Sequence, residues 1–305
     1  MAARVAVVGS LNMDLIARAP RIPRPGETIL GGDFSTAPGG KGANQAVAAA
    51  RLGTQVSMVG RVGSDAFAQN LLASLAAAGV DHRHVIQDAQ TATGVALIVV
   101  DDGGQNSIVV APGANARLSP ADVDAAHATI AAADVLLLQL ESPLEAVAHA
   151  AELAHAHGVT VILNPAPACE LPTELLALVD VLVPNESETA ILTGLPVGSQ
   201  VEAQATALLY LGVGAALLTL GERGALLAQP EGIEHVPAFR VTPVDTTAAG
   251  DAFVSGFAAA LAEGRTPVEA VQWGCAAGAL ATTKLGAQPS LPTRQEVEAL
   301  LRKGN

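Results

Sequence analysis

Between Val244 and Gly256 the chain reads V-D-T-T-A-A-G-D-A-F-V-S-G. Two carboxylates, Asp245 and Asp251, bracket two hydroxyl residues, Thr246 and Thr247, and three small ones, Ala248, Ala249 and Gly250. From Asp251 onward Phe253, Gly256, Phe257, Ala260 and Leu261 recur at spacings of three and four, which predicts a helix. The small residues therefore stand at a helix start, where backbone N–H groups lack intrahelical partners and the dipole is positive. That is an anion site, and small side chains let a charged group reach the backbone. A carboxylate beside it suits one chemistry in particular: taking the proton from a hydroxyl while a phosphoryl group is transferred to it. An acidic residue in a first turn is also an ordinary helix cap, and on this fragment both readings stand.

A second stretch, Pro38-Gly39-Gly40-Lys41-Gly42-Ala43-Asn44-Gln45, opens an Ala-rich helix that should end at Gly53. It is not a P-loop, since Gly42 follows Lys41 and the leading glycine spacing differs. The glycines would admit a ligand close to the backbone, with Lys41 and Asn44 as polar contacts. The same pattern also describes a plain loop-to-helix turn. The two cysteines, Cys169 and Cys275, have no metal spacing and read as buried thiols, and the seven histidines form no metal or triad pattern.

The elements that must position these residues follow from composition and order. The 305 residues are 50% apolar and 15% charged, with 2% aromatic, so a large core is built from Ala, Val and Leu. Mean hydropathy is +0.40, yet no run of about 18 apolar residues occurs and the N-terminus passes directly into a strand. A cytoplasmic protein without a membrane partner is expected. A net charge of −13 argues against nucleic-acid binding.

Arg4–Gly9 is a buried strand without a Gly-x-Gly-x-x-Gly sequel. Residues 11–17 and 27–35 read as short extended segments separated by prolines, and 91–100 and 105–111 as a hairpin. Between and after them strands alternate with helices: strands at 55–60, 134–140, 159–163, 179–183 and 215–219, a hairpin at 224–236, and helices at 65–78, 250–263, 267–283 and 294–302. Ser119-Pro120 starts one further helix, Ser142 and Glu145 form a capping box for another, and Thr293 and Glu296 cap the last. Alternation predicts an α/β fold with a mainly parallel sheet between helical layers, ligands at the carboxyl ends of its strands, and a small second sheet from residues 11–35 and 91–111 as a lid. No linker or repeat interrupts residues 1–305, which read as one large domain.

Gly39–Asn44 and Asp245–Asp251 together resemble the paired signatures of the ribokinase (PfkB-type) sugar kinases. Asn12-Met13-Asp14, Gln139-Leu140-Glu141-Ser142-Pro143, Asn164-Pro165-Ala166-Pro167-Ala168, Asn185-Glu186-Ser187-Glu188, Thr219-Leu220-Gly221 and Gly286-Ala287-Gln288-Pro289-Ser290 extend the likeness across the chain in order. The resemblance implies a ribokinase-like three-layer α/β/α fold and ATP-dependent phosphorylation of D-ribose at O5. Another small sugar or nucleoside (deoxyribose, fructose, a keto-sugar acid) as acceptor, or a silent sugar sensor, are the alternatives.

It implies Asn12, Asp14, Gly40, Lys41, Asn44 and Glu141 as sugar ligands, and Asp251 as the base. The dipole of its helix should keep the Asp251 pKa low. The N–H groups of Ala248, Ala249, Gly250 and Asp251 would be the phosphate cradle. Asn185 and Glu188 would organise Mg²⁺ and phosphate, although Pro184-Asn185-Glu186 is equally a strand-to-helix cap. Thr219, Gly221 and Gly250 would face ATP, as would Cys275, which stands where related chains can carry a histidine near the adenine. Asp245, Thr247, Ala281, Lys284, Gly286 and Ser290 match the positions of a K⁺ site. A homodimer through the lid sheet completes the implied picture.

Overall fold

The computed structural model of the chain describes residues 2–304. Arg4–Val8 (β1) carries four consecutive buried residues, the pattern of a strand covered on both faces. The chain then leaves that layer, and Asn12–Arg18 (β2) pairs antiparallel with Phe34–Gly39 (β3). The second extended segment thus lies at 34–39, not 27–35. Residues 27–33 hold no strand, because Gly31 and Gly32 offer no side chains to pack and the chain loops back at Arg18, whose N–H donates to Asp33 O while its carbonyl accepts from Gly32 N. Pro38 is tolerated in β3 because β3 is an edge strand.

Lys41–Arg51 (α1), Gln55–Gly63 (β4) and Ala66–Ala77 (α2) follow in the expected order, β4 running three residues past the expected 55–60, with Asp65 capping α2 through Ala68 N at 2.9 Å. Asp81–Asp88 (β5) has no counterpart in the sequence reading. Its D-H-R-H-V-I-Q-D composition lacks an apolar run because it is the half-solvated edge of the main sheet. Gly94–Val100 (β6) and Asn106–Ala111 (β7) form the expected hairpin.

Pro120–Ala125 (α3) and His127–Ala131 (α4) precede Val135–Leu138 (β8) and Leu144–Ala156 (α5). The Ser142–Glu145 capping box does not form: Pro143 is the residue that precedes the first turn, which puts Ser142 one position too early and leaves its buried Oγ without a partner. Thr160–Leu163 (β9), Thr173–Leu176 (α6), Val181–Leu182 (β10), Glu186–Thr193 (α7), Val201–Leu209 (α8) and Ala215–Thr219 (β11) continue the alternation. The hairpin Ala225–Gln229 (β12) and Gly232–Val236 (β13) leads to Ala249–Ala262 (α9), Pro267–Ala281 (α10) and Arg294–Lys303 (α11), the last capped by Thr293 and Glu296 as read.

The main sheet has the order β13-β12-β11-β10-β9-β8-β1-β4-β5, parallel from β11 to β5 and antiparallel at β12 and β13. Its strands split their side chains by the period of two: Val5, Val7 and Leu137 join the core under α1, α9 and α10, while Ala6, Val8, Leu136 and Leu138 join the core under α5 and α8. The scarcity of aromatics is met by close packing of backbone. At Gly256 of α9 an added Cβ would lie 2.9 Å from Trp273 O of α10, so the two helices touch where a larger residue would part them. The small sheet has the order β3-β2-β6-β7, with β2 and β6 parallel. Among the described residues no helix is long and apolar enough to cross a membrane.

Candidate active site

The passage from β1 to β2 delivers Asn12 and Asp14 to the carboxyl end of the main sheet, both buried. Asn115 fixes this passage. Its amide exchanges two hydrogen bonds with the backbone of Leu11 (2.9 and 3.0 Å) and donates to Asn12 Oδ1 (2.7 Å). Asn12 Nδ2 in turn donates to Glu141 Oε2 (3.3 Å), which also accepts from Ser10 Oγ (2.5 Å) and from Lys41 N (3.1 Å). The glycine pair before α1 is there for space: Gly40 has φ 89°, and a Cβ on it would sit 2.6 Å from Asn12 N, while one on Gly39 would strike the Asp14 carboxylate.

Asp251 enters from the far end of the chain, in the first turn of α9. Its Oδ2 accepts from Asn44 Nδ2 (2.9 Å) and its Oδ1 from Gln45 Nε2 (3.1 Å). The helix is entered through Ala248, which holds the left-handed conformation at φ 57°, a strain of about 1–2 kcal/mol for a residue with a Cβ. Ala249 N donates to Thr246 O, whereas the N–H groups of Ala248, Gly250 and Asp251 find no acceptor among the described residues. A Cβ added to Gly250 would meet nothing within 4 Å. The open donors therefore face free space next to a buried carboxylate.

Charge is concentrated here. Asp14 is pushed up to about 7, first by burial and then by Glu141 and Asp251. The Asp251 carboxyl is also raised, by burial first, against the pull of Lys41, Asn44 and Gln45. This corrects the expectation of a low pKa at a helix start, because desolvation outweighs the donors around the group. Burial works against the ammonium of Lys41, but Asp251, Glu141 and Glu188 outweigh it and the lysine stays charged.

On the other side of the α9 N-terminus opens a cavity of about 950 Å³, a volume that fits a cofactor-sized molecule. It gathers four of the residues singled out for a nucleotide, Thr219, Gly221, Gly250 and Cys275, and adds the segment Ala238–Val241, whose sequence carries no motif. Burial pushes the Cys275 thiol up to about 12, so it lines the cavity as a neutral group. A cavity of about 510 Å³ at the opposite end of the sheet, beside Arg4 and Gln55, holds none of these residues.

Asn185 and Glu188 do form a helix cap: Asn185 Oδ1 accepts from Glu188 N and Glu188 Oε2 from Asn185 N, both at 2.8 Å. Glu188 Oε1 is left without a donor, and burial raises this carboxyl while Lys41 pulls it down. Asp245 is a turn-forming carboxylate. It accepts from Thr247 N (2.9 Å), Thr247 Oγ1 (2.6 Å) and Gly286 N (2.8 Å), and these bonds hold it below the usual carboxylate range against burial. Lys284 points away to Glu296 and Ser290 Oγ donates to Ala287 O. The carbonyls of Ala281, Lys284 and Gly286 accept no hydrogen bond among the described residues.

Several supporting residues of this site carry no role in the sequence reading. Ser10, Asn115, Gln45 and Gln139 have ordinary types, even where, as for Gln45 and Gln139, they lie within a quoted stretch, and only the fold brings Asn115 104 residues back onto Leu11.

The pfkB family carbohydrate kinase model matches residues 2–294. The ribokinase of Haemophilus influenzae is 44% identical over 292 residues, covering 95% of both chains. The deoxyribokinase of Salmonella typhimurium is 41% identical over 300 residues, covering 97% of this chain and 98% of its own. Among solved structures, Arabidopsis thaliana ribokinase complexed with ribose and ATP superposes with a TM-score of 0.92 at 35% identity, covering 99% of each chain.

Proposed function

The chain belongs to the pfkB family of carbohydrate kinases, and on that premise we propose that it transfers the terminal phosphoryl group of ATP to O5 of D-ribose. One observation carries the reading. Asp251 stands between a set of buried polar side chains and the unpartnered N–H groups at the start of α9. On the first side Asp14 offers a carboxylate to two neighbouring hydroxyls, and Asn44 Oδ1, buried and without a partner, is an acceptor for another. Asn12, Lys41 and Glu141 complete the sugar set around the Gly40 backbone. On the second side the cavity lined by Thr219, Gly221 and Cys275 takes the nucleotide, with its phosphates toward Gly250.

The chemistry follows. The hydroxyl proton passes to Asp251 as the sugar oxygen forms its bond to the γ-phosphorus and the bond to the ADP oxygen breaks, the charge leaving on ADP. The N–H groups of Ala248, Gly250 and Asp251 and the Lys41 ammonium stabilise charge on the phosphoryl oxygens, while the N–H of Ala249 is taken by Thr246 O. A carboxyl raised by burial is the better proton acceptor, and the loose transition state demands little of it.

Mg²⁺ neutralises phosphate charge when bound with ATP. Glu188, through its free Oε1, and Asn185 would hold it, largely by way of water. The residues around Asp245 fit a large monovalent cation: one carboxylate with one remaining lone-pair direction and the carbonyls of Thr247, Ala281, Lys284 and Gly286, with Ser290 behind them. K⁺ there would stiffen the loop leading to the α9 N-terminus. The small sheet, which carries Asn12 and Asp14, acts as a lid. Its exposed Phe34, Leu97, Ile108, Val109 and Val110 support a homodimer through that sheet. Dependence on ATP places the work in the cytoplasm.

ADP release against a panel of ribose, 2-deoxyribose, fructose and nucleosides tests the reading, since a relative of similar identity is named for deoxyribose. Ribose should give the highest kcat/KM; a higher value for another acceptor overturns the assignment of substrate, and sugar-independent ADP release overturns kinase action.

A further inference from the structure

Asp251 is held from behind by a relay of amides whose direction is forced by its two ends. At one end Asn164 Nδ2 donates to Val183 O (2.9 Å), so Asn164 turns its Oδ1 toward Gln45. At the other end is the Asp251 carboxylate. Gln45, fully buried in α1, faces both acceptors with the same edge of its amide, and its Nε2 reaches Asn164 Oδ1 at 3.2 Å and Asp251 Oδ1 at 3.1 Å. Its Oε1 is thereby turned away and accepts from Gln139 Nε2 at 2.6 Å. Gln139, 1% exposed, packs its amide into the space left by the missing side chain of Gly9; its Oε1 has no partner there, so the bond to Gln45 is what sets its orientation. Flipping any one amide would set oxygen against oxygen. Ser255 Oγ lies between the backbone carbonyls of the same pair, its single O–H shared between Asp251 O (2.7 Å) and Gln45 O (3.0 Å).

We propose that Gln45, aimed by Gln139 and Asn164, is a positioning residue for Asp251: it holds Oδ1 so that the remaining lone pairs of the carboxylate face the acceptor hydroxyl. The inference rests on Asp251 as the base. Other charged groups facing Asp251 are Lys41 on α1, Asp14 on β2, Glu141 after β8 and Glu188 on α7. Lys41 opposes the three carboxylates, and Gln45 adds a donor that favours the ionised form without adding charge. Replacing it should therefore raise the pKa at which turnover fails, which moves the acid limb of kcat to higher pH.

The test is the kcat–pH profile of Gln45→Met, of similar length but without donor or acceptor, at saturating sugar and ATP. We expect kcat about 10–100-fold lower at pH 7.5, both KM values within about threefold, and the acid limb about one pH unit higher, the scale of one hydrogen bond to a charged group. Gln139→Leu, which leaves Gln45 in place but frees its amide to turn, should move the limb the same way by less. A limb in its wild-type position overturns the proposal in either variant, and Gln139→Leu decides if Gln45→Met does not fold. Loss confined to KM overturns it equally. Asp251→Asn separates the premise: it should lower kcat by about 10²–10⁴. If that variant turns over normally the base is wrong, whereas an inactive Asp251→Asn with an unmoved Gln45→Met profile removes only the role of Gln45.

Discussion

Asp14 should cost the protein stability in exchange for specificity, and the cost can be measured. Its carboxyl is raised from 3.8 to about 7 by burial, Glu141 and Asp251. Between those two values the folded protein binds the proton that the unfolded chain has released, so stability falls as pH rises toward 7 and the full penalty is present above it. At about 1.36 kcal/mol per pKa unit, roughly three units amount to ~4 kcal/mol at pH 8, and about 1.6 kcal/mol at pH 5. Asp14→Asn keeps the shape and removes the charge. Thermal melting without sugar should therefore rise by about 5–8 °C at pH 8, and by less than half of that at pH 5. The same variant should lose about 10²–10³ in kcat/KM for ribose, since the amide puts a donor in place of one of the carboxylate's two accepting oxygens and removes the charge that strengthens both bonds. Addition of ribose should raise the melting temperature of the wild type but not of the variant. An unchanged or lowered melting temperature at pH 8, or a gain that does not shrink with acidity, would refute the argument.

Other outcomes follow from the same geometry. Gly250→Val adds atoms only to open space in the unliganded protein, so its melting curve should match the wild type while kcat falls about 100-fold, the loss of one oxyanion donor; a collapsed fold would make Gly250 structural. At constant ionic strength, turnover should rise with potassium or caesium more than with sodium, and Asp245→Ala should abolish the rise; flat activity across alkali chlorides leaves Asp245 as the turn residue its three hydrogen bonds describe. Val109→Asp, on a strand exposed along its length, should convert a dimer to a monomer in sedimentation; a wild-type protein that is already monomeric removes the proposed interface.

What the sequence made legible follows from the range of the forces involved. Periodicity located the buried strands to within three residues and the last three helices to within two, because burial on both faces or along one stripe imprints itself on neighbours in the chain. β5 was invisible because a half-wet edge strand needs no apolar run. β3 was misplaced because prolines mark a turn without saying where pairing resumes. The capping box at Ser142 failed by one position, which no local pattern resolves. In the site, residues of distinctive type and spacing were readable: Asp14, Lys41, Glu141 and Asp251 do converge. Their supports were not. Gln45 earns its place through partners 94, 119 and 206 residues away, and nothing about a glutamine in an Ala-rich helix announces that. The rise in the Asp251 pKa was missed for the same reason, since the helix dipole is local and burial is not.

The span of those contacts bears on how the protein is made. Asn44 and Gln45 reach Asp251 across 207 and 206 residues, and Ser10 reaches Glu141 across 131. On the ribosome the polar groups proposed to hold the sugar are synthesised long before α9 exists, and β1 cannot take its place in the sheet until β4 and β8 have both emerged. Domains of such high contact order fold slowly, since the closure of long loops comes before the contacts that reward it. A nascent or truncated chain ending before Val244 thus lacks the proposed base and the proposed phosphate cradle. Catalytic competence is acquired late, so phosphotransfer itself would report that synthesis has passed Asp251 and that the two ends of the chain have met.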